Sequence, residues 1–301
     1  MSLQSTGQVL MVRPANFGWN SETSDSNSFQ KQGSIDGDAV AEFDSVVTAL
    51  RAASVAVMVA EDDASLRLPD AVFPNNWLST HDGGVAVLYP MASPKRRLER
   101  RREILDMLIS SYHIDHVVDM SYHEDEGRFL EGTGSLVLDR INRFAYACRS
   151  PRTCDALVNE WCARMDYRPL VFDAFCDSVP VYHTNVLLSV GTDWAAVCSA
   201  WIASSDRDRV LTALHDSGKT VLEATEAEAM GFGCNILELQ AGGRTIIAGH
   251  LDLPSSDGRP YLEKLESVAG PLVGNPTPTI WSQGGGGIRC MICELFLEER
   301  H

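Results

Sequence analysis

The feature that most constrains this chain is a period. A polar residue heads a hairpin-like segment five times, at Asn76, Glu131, His183, Asn235 and Cys290, with intervals of 55, 52, 52 and 55 residues. The segments read FPNNWLSTHDGGVAVLYP (73–90), FLEGTGSLVLDRINRFAYACRS (129–150), YHTNVLLSVGTDWAAVCSAW (182–201), FGCNILELQAGGRTIIAGH (232–250) and a truncated GGIRCMICELFLEER (286–300). In the first four, DGG, DRIN, GTD or AGG separates two apolar runs, the pattern of strand, tight turn and strand. Segments 38–53, 94–110, 151–165 and 205–217 have helical periodicity, and each precedes a short apolar run (SVAVMVA, HVVDM, PLVFDAF and KTVLEA).

The repeating unit is therefore strand–strand–helix–strand. A unit of this size leaves one apolar sheet face bare and is not stable alone. Five units around an axis would cover every face. The fifth is cut short, so the N-terminal strand VLMVRP (9–14) is expected to complete it and close the ring. The five heads would then meet at one central channel. The alternative is a stack of α/β units whose heads lie apart.

Convergence makes Cys290, His183 and Glu131 the candidates for chemistry. Cys290 follows four glycines at 284–287 and is expected to begin a strand. So flexible a run needs a reason, such as close approach of backbone to a ligand. A free thiol titrates near about 8.5, so a nucleophilic cysteine needs a base beside it. His183 is the histidine at a unit head; His81, His113, His116, His123, His215, His250 and His301 fall in turns, linkers or strand ends. His113 and His116 have a metal-like spacing but sit in a linker and read as surface residues. Glu131, between Leu130 and Gly132 at the mouth of a strand, must be hydrogen-bonded to backbone or hold a ligand, because an unpaired buried carboxylate is costly.

Charge and cysteine usage narrow the partners. Lys+Arg 25 against Asp+Glu 41 gives a net charge of −16, which repels phosphate backbones and anionic lipid; neither nucleic acid nor membrane is expected as a partner. MSLQSTGQVLMVRP does not read as a signal peptide, and SVAVMVA is too short to span a bilayer. Eight cysteines scattered through apolar stretches suit reduced thiols and a cytoplasmic location. Cys290 and Cys293 make half a zinc site with no second half, so no metal is expected. No cofactor is expected either: TGQVL, GGGG and GTGS lack the strand-to-helix setting of a phosphate loop, and a strand is expected after GTGS.

FPNNW, FLEGTGS, YHTN and GGGGIRCM, in that order over nearly the whole chain, resemble the amidinotransferase, arginine deiminase and dimethylargininase (guanidino-group-modifying) superfamily. The opening VRPANFGWNSETSDSNSF is most similar to its citrulline-utilization hydrolase (CtlX-like) group. The resemblance implies a five-bladed α/β-propeller, the pentein fold, as a single catalytic domain over 1–301. It also implies a cysteine that attacks the ureido or guanidino carbon, a histidine that moves protons and acidic residues that grip substrate nitrogens. Carried onto matching positions these are Cys290, His183 and Glu131.

Two departures bear on the substrate. Arginine deiminases carry aspartate where this chain has Asn76, and again two residues after the histidine, where it has Asn185. Carboxylates suit a planar cation, whereas asparagines offer donors as well as acceptors and suit a ureido group. A small-molecule substrate, citrulline in preference to an arginine-like one, is therefore expected, with Asn75 an equal candidate if the register slips by one. Arg13, Arg128 and Arg289, each beside a motif, are candidates to hold the amino-acid carboxylate. Amidinotransferase, arginine deiminase or dimethylarginine hydrolase activity is the alternative, and a non-catalytic binding protein on the same fold is the second. A homo-oligomer is left open.

Overall fold

The computed structural model describes residues 3–32, 37–251, 253 and 259–300; His301 lies outside them. Among these, the chain forms five three-stranded sheets of one topology. Leu78–His81 pairs antiparallel with Val85–Leu88, which pairs parallel with His116–Asp119. The same pattern joins Val137–Asp139, Phe144–Cys148 and Arg168–Phe172, then Leu188–Val190, Trp194–Val197 and Thr220–Glu223, then Leu237–Ala241, Arg244–Ala248 and Leu272–Val273. In the fifth sheet Cys293–Glu294 pairs antiparallel with the N-terminal strand Gln8–Arg13, which pairs parallel with Ala56–Glu61. The N-terminal strand thus completes the last unit, as its sequence suggests.

Turn chemistry sets the hairpins. Gly83 and Gly84 (φ 75° and 70°) close the first, and Gly242 and Gly243 (φ 57° and 84°) close the fourth. Two consecutive positive φ angles match the twist of the flanking strands. The helix Ala39–Ala52 starts where Asp38 accepts the N–H groups of Val40 and Ala41, and it buries Phe43, Val46, Val47 and Leu50 at helical spacing. The segment 94–110 is not one helix but two, Pro94–Arg97 and Arg102–Ser111. Arg96 and Glu99 turn inward at the break, where both are buried. The helix expected at 151–165 begins later, at Asp155. The fourth unit also has its helix, Arg259–Ala269.

Each interface between sheets carries an apolar cluster shared by two units. Val9 and Met11 pack with Leu237, Leu239 and Ile246. Leu10 and Val12, on the opposite face of the same strand, pack with Leu78, Ala86 and Leu108. Val87 packs with Ala145 and Trp161, Tyr146 with Leu188 and Val197, and Trp194 with Ile247 and Leu265. Strands covered on both faces read as unbroken apolar runs because alternate side chains serve different neighbours. Each fully buried Leu, Ile or Val contributes about 1.5–3 kcal/mol. No helix among the described residues is long and apolar enough to cross a membrane, and all eight cysteines are free thiols.

Candidate active site

Four of the five unit heads stand at one-turn helices that lead into the first strand of a unit. Asn76 ends Pro74–Asn76, Glu131 caps Gly132–Ser135, His183 caps Thr184–Val186, and Cys290 lies inside Ile288–Met291. Cys290 therefore does not begin a strand; the paired residues are Cys293–Glu294. GTGS likewise forms a helical turn, with a strand after it. Its glycines have steric causes. At Gly132 (φ 48°) a Cβ would stand 2.2 Å from the carbonyl oxygen of Asn75, and at Gly134 it would stand 2.6 Å from Asn76 Nδ2 and 2.7 Å from His183 Nδ1. Bare backbone lets three units crowd together.

Glu131 and His183 form a buried pair, with Nε2 2.8 Å from Glu131 Oε2. Glu131 Oε1 accepts the N–H of Ala92 at 3.1 Å, and Arg152 Nη1 stands 3.5 Å from Oε2. Burial pushes this carboxyl up, but Arg152, the His183 bond and Arg96 together pull it down to about 2. Burial pushes His183 down and outweighs Glu131, leaving it at about 4. At neutral pH the imidazole is uncharged. A carboxylate only accepts, so Nε2 carries the hydrogen and Nδ1 is a bare acceptor beside Gly134 and Asn76.

Cys290 shares a cleft with His183, Asn76, Asp70, Phe73, Arg96, Arg152 and Tyr182. Its sulfur stands 3.4 Å from Asn235 Nδ2 and 3.6 Å from Asn185 Nδ2. Burial pushes the thiol above its ordinary value, although Asn235 and Arg289 pull the other way. The glycine run forms part of the cleft wall: Gly284 and Gly286 leave no room for a Cβ against Phe73, nor Gly287 against Asn235 Oδ1. Asn27, Gln30 and the Tyr182 hydroxyl hold its carbonyls at Gly284 and Gly285.

The residues expected to bind substrate divide. Asn76 lines the cleft, whereas Asn75 lies behind it and accepts the Asn76 amide N–H at 3.1 Å. Asn185 touches the sulfur but lines a separate interior cavity. None of the three arginines expected to hold a carboxylate lines the cleft. Arg13 forms a partly exposed pair with Asp44 at 2.7 Å, and Arg128 pairs with Glu126. Arg289 is buried and donates to Ile292 O and Glu294. The cations that do line the cleft are Arg96 and Arg152. Both follow a Ser-Pro at equivalent points of consecutive units, SPKR and SPR, a repeat signal that could have identified them. Asp70, with Oδ2 held by Asn20 at 2.7 Å and Oδ1 unpartnered, lies in a linker with no such signal. Asn235 was visible as a unit head, but its contact with sulfur was not.

The chain shares its fold with several solved structures. The N-terminal domain of ArgZ, an arginine dihydrolase from the ornithine–ammonia cycle in Cyanobacteria, is similar as an Asn-to-Ser mutant covalently bound to a reaction intermediate: TM-score 0.77, 17% identity, 97% of this chain and 98% of that one. Unliganded AgrE gives TM-score 0.77 and 17% identity over 98% of this chain, which spans 40% of AgrE. A dimethylarginine dimethylaminohydrolase adduct with 4-chloro-2-hydroxymethylpyridine gives TM-score 0.66 and 15% identity over 98% and 100%. Comparison with curated protein sequences returns no match. A family model described as "N,N dimethylarginine dimethylhydrolase, eukaryotic" matches residues 13–297, and the chain belongs to that family. It is a hydrolase of linear C–N bonds within the guanidino-modifying superfamily.

Proposed function

We propose that the chain hydrolyses a ureido or guanidino amino acid, citrulline in preference, through a covalent adduct on Cys290, as a single five-bladed α/β-propeller domain. The observation that carries the reading is one buried cleft holding a thiol, a neutral histidine paired with a carboxylate, and, beside that histidine, the Asn76 amide, with Asp70 as the carboxylate of the cleft lining. The cyclic sharing of five apolar interfaces supports the propeller. The relative held covalently on an intermediate supports the adduct.

Cys290 Sγ adds to the ureido carbon while its proton passes to His183 Nδ1. Glu131 stabilises the imidazolium that forms. The tetrahedral adduct collapses as the carbon–nitrogen bond breaks and His183 returns the proton to the departing nitrogen. Water then gives a proton to His183 and attacks the remaining S–C carbon, releasing the thiol. The thiol leaves a carbamic acid, which breaks its own carbon–nitrogen bond to release the remaining amine and carbon dioxide, so citrulline and water become ornithine, ammonia and carbon dioxide whichever nitrogen leaves first. Asp70 Oδ1 offers an acceptor to substrate N–H groups, and Arg152 offers positive charge to the carboxylate. Fixing the planar group in this way supplies much of the rate through orientation.

A second reading, hydrolysis of a methylated arginine, is favoured by the family description. A substrate panel of citrulline, arginine and methylated arginines, read by ammonia or methylamine release and by ornithine against citrulline as product, separates the two. Citrulline turnover that is lost in Cys290→Ala is expected. Turnover of any panel member by that variant at the wild-type rate ends the covalent mechanism.

A further inference from the structure

Asn76 could present either end of its amide to a substrate, since the two ends are nearly the same shape. Its neighbours remove that freedom. Arg96 Nη1 donates to Asn76 Oδ1 at 2.9 Å, and a guanidinium has no acceptor, so the oxygen must face it. Asn76 Nδ2 gives one hydrogen to Asn75 Oδ1 at 3.1 Å. No second acceptor takes its other hydrogen among the described residues, and Asn76 lines the cleft, so that hydrogen is left for a ligand.

Arg96 is fixed in turn. Glu99 takes Nε and Nη2 in a planar fork, both at 2.9 Å, and Phe73 O accepts from Nη2 at 3.4 Å. With the Asn76 bond, four of the five guanidinium N–H groups are used inside the protein. Asp70 Oδ2 and Glu131 Oε2 stand 3.8 and 3.9 Å from the same guanidinium, ready to draw it aside if the fork is lost.

The geometry points to Glu99 as a positioning residue for specificity: by fixing Arg96 it holds the Asn76 amide with N–H toward the reacting carbon, which selects a substrate oxygen over a substrate nitrogen. A urea oxygen accepts that hydrogen, whereas an amidinium presents only donors and leaves both sides unpaired. The inference deepens the ureido reading and takes its biological meaning from it.

Two small reagents put the choice to Cys290 without turnover. 2-Chloroacetamide carries a carbonyl oxygen, and 2-chloroacetamidine carries a cation with donors only. With each, an Sγ–C bond forms, chloride leaves with the C–Cl electron pair and the thiol proton passes to His183 or water. The quantity read is the ratio of the two labelling rates at Cys290, resolved by peptide mass. Glu99→Ala is expected to lower the amide-to-amidine ratio about tenfold, the scale of one misdirected hydrogen bond. Glu99→Gln keeps an acceptor and the packing, so it is expected to shift the ratio the same way by less, and it decides the matter if the alanine variant does not fold. In an Asn76→Ala background Glu99→Ala is expected to change the ratio no further. A merely structural role would slow both reagents together. A ratio unchanged in the Glu99 variants, or shifted equally without Asn76, overturns the inference. A chain that labels as expected yet hydrolyses no ureido compound would sink the proposed substrate and uphold the role of Glu99.

Discussion

Alanine at Gly134 adds one methyl group where the heads of three units meet. The new carbon would lie 2.6 Å from Asn76 Nδ2, 2.7 Å from His183 Nδ1 and 2.8 Å from His183 Cε1. Ordinary contact lies near about 3.5 Å, so the two side chains must give by about 0.8 Å. Neither can retreat freely: Glu131 holds His183 at 2.8 Å, and Arg96 holds Asn76 at 2.9 Å. Alanine in a helical turn gains about 1 kcal/mol over glycine, whereas overpacking costs about 1–3 kcal/mol. The two nearly offset, so the variant is expected to fold, with Tm lowered by a few degrees at most. Geometry decides the activity, since a displacement near 1 Å at reacting groups costs about a hundredfold. Ammonia release by Gly134→Ala is therefore expected to fall about a hundredfold in kcat/KM. Gly18→Ala, with nothing within 4 Å of the added carbon, is the control and is expected to change neither quantity. Turnover by Gly134→Ala within about threefold of wild type would refute the reasoning, because contact with that backbone would then not position the two nitrogens.

Asn76→Asp replaces an amide with a charge that only accepts, and is expected to shift the ratio of kcat/KM for arginine over citrulline upward by about tenfold; a lower or unchanged ratio contradicts the donor role of Asn76. Without substrate, labelling of Cys290 by a neutral alkylating reagent is expected to keep rising past the range where a free thiol titrates, because burial raises this thiol above its ordinary value. A plateau at neutral pH would show a preformed thiolate. Acid stability follows from the buried histidines. His183 and His250 are held at about 4, each with burial as the first cause, and burial pushes His81 well down as well. In the unfolded chain they take protons near about 6.5, so their contribution is complete above that pH and is lost as pH falls toward the folded values. For His250 the shift is worth about 3 kcal/mol. Glu99, pushed up by burial to about 7, works the opposite way between its ordinary 4.5 and 7. Glu131, held at about 2, adds its own loss as pH falls from its ordinary 4.5 toward 2. The urea midpoint is expected to drop steadily from about pH 6.5 to about 4, and a flat profile there would contradict the burial of these rings.

What the sequence determined by itself is what local rules determine. Apolar runs broken by DGG and AGG gave the hairpins, because positive φ angles are set by neighbouring residues. The spacing of Asn76, Glu131, His183 and Cys290 placed them at equivalent points of a repeat. VLMVRP was readable as the missing strand of the fifth unit because a bare sheet face needs a partner. The tertiary structure decided the rest of the cleft lining. Arg96 leaves the one-turn helix Pro94–Arg97, and Arg152 and Asp70 leave irregular segments; the course of all three depends on distant partners: Glu22 accepts the N–H of Lys95 from across the chain, Thr23 and Ser26 accept from Arg152, and Asn20 holds Asp70. For the same reason Arg13 and Arg128, beside motifs in sequence, pair with Asp44 and Glu126 outside the cleft. Which end of the Asn76 amide meets the substrate depends on a guanidinium 20 residues away. Periodicity fixes where a side chain starts, but only packing between units fixes where its polar atoms end.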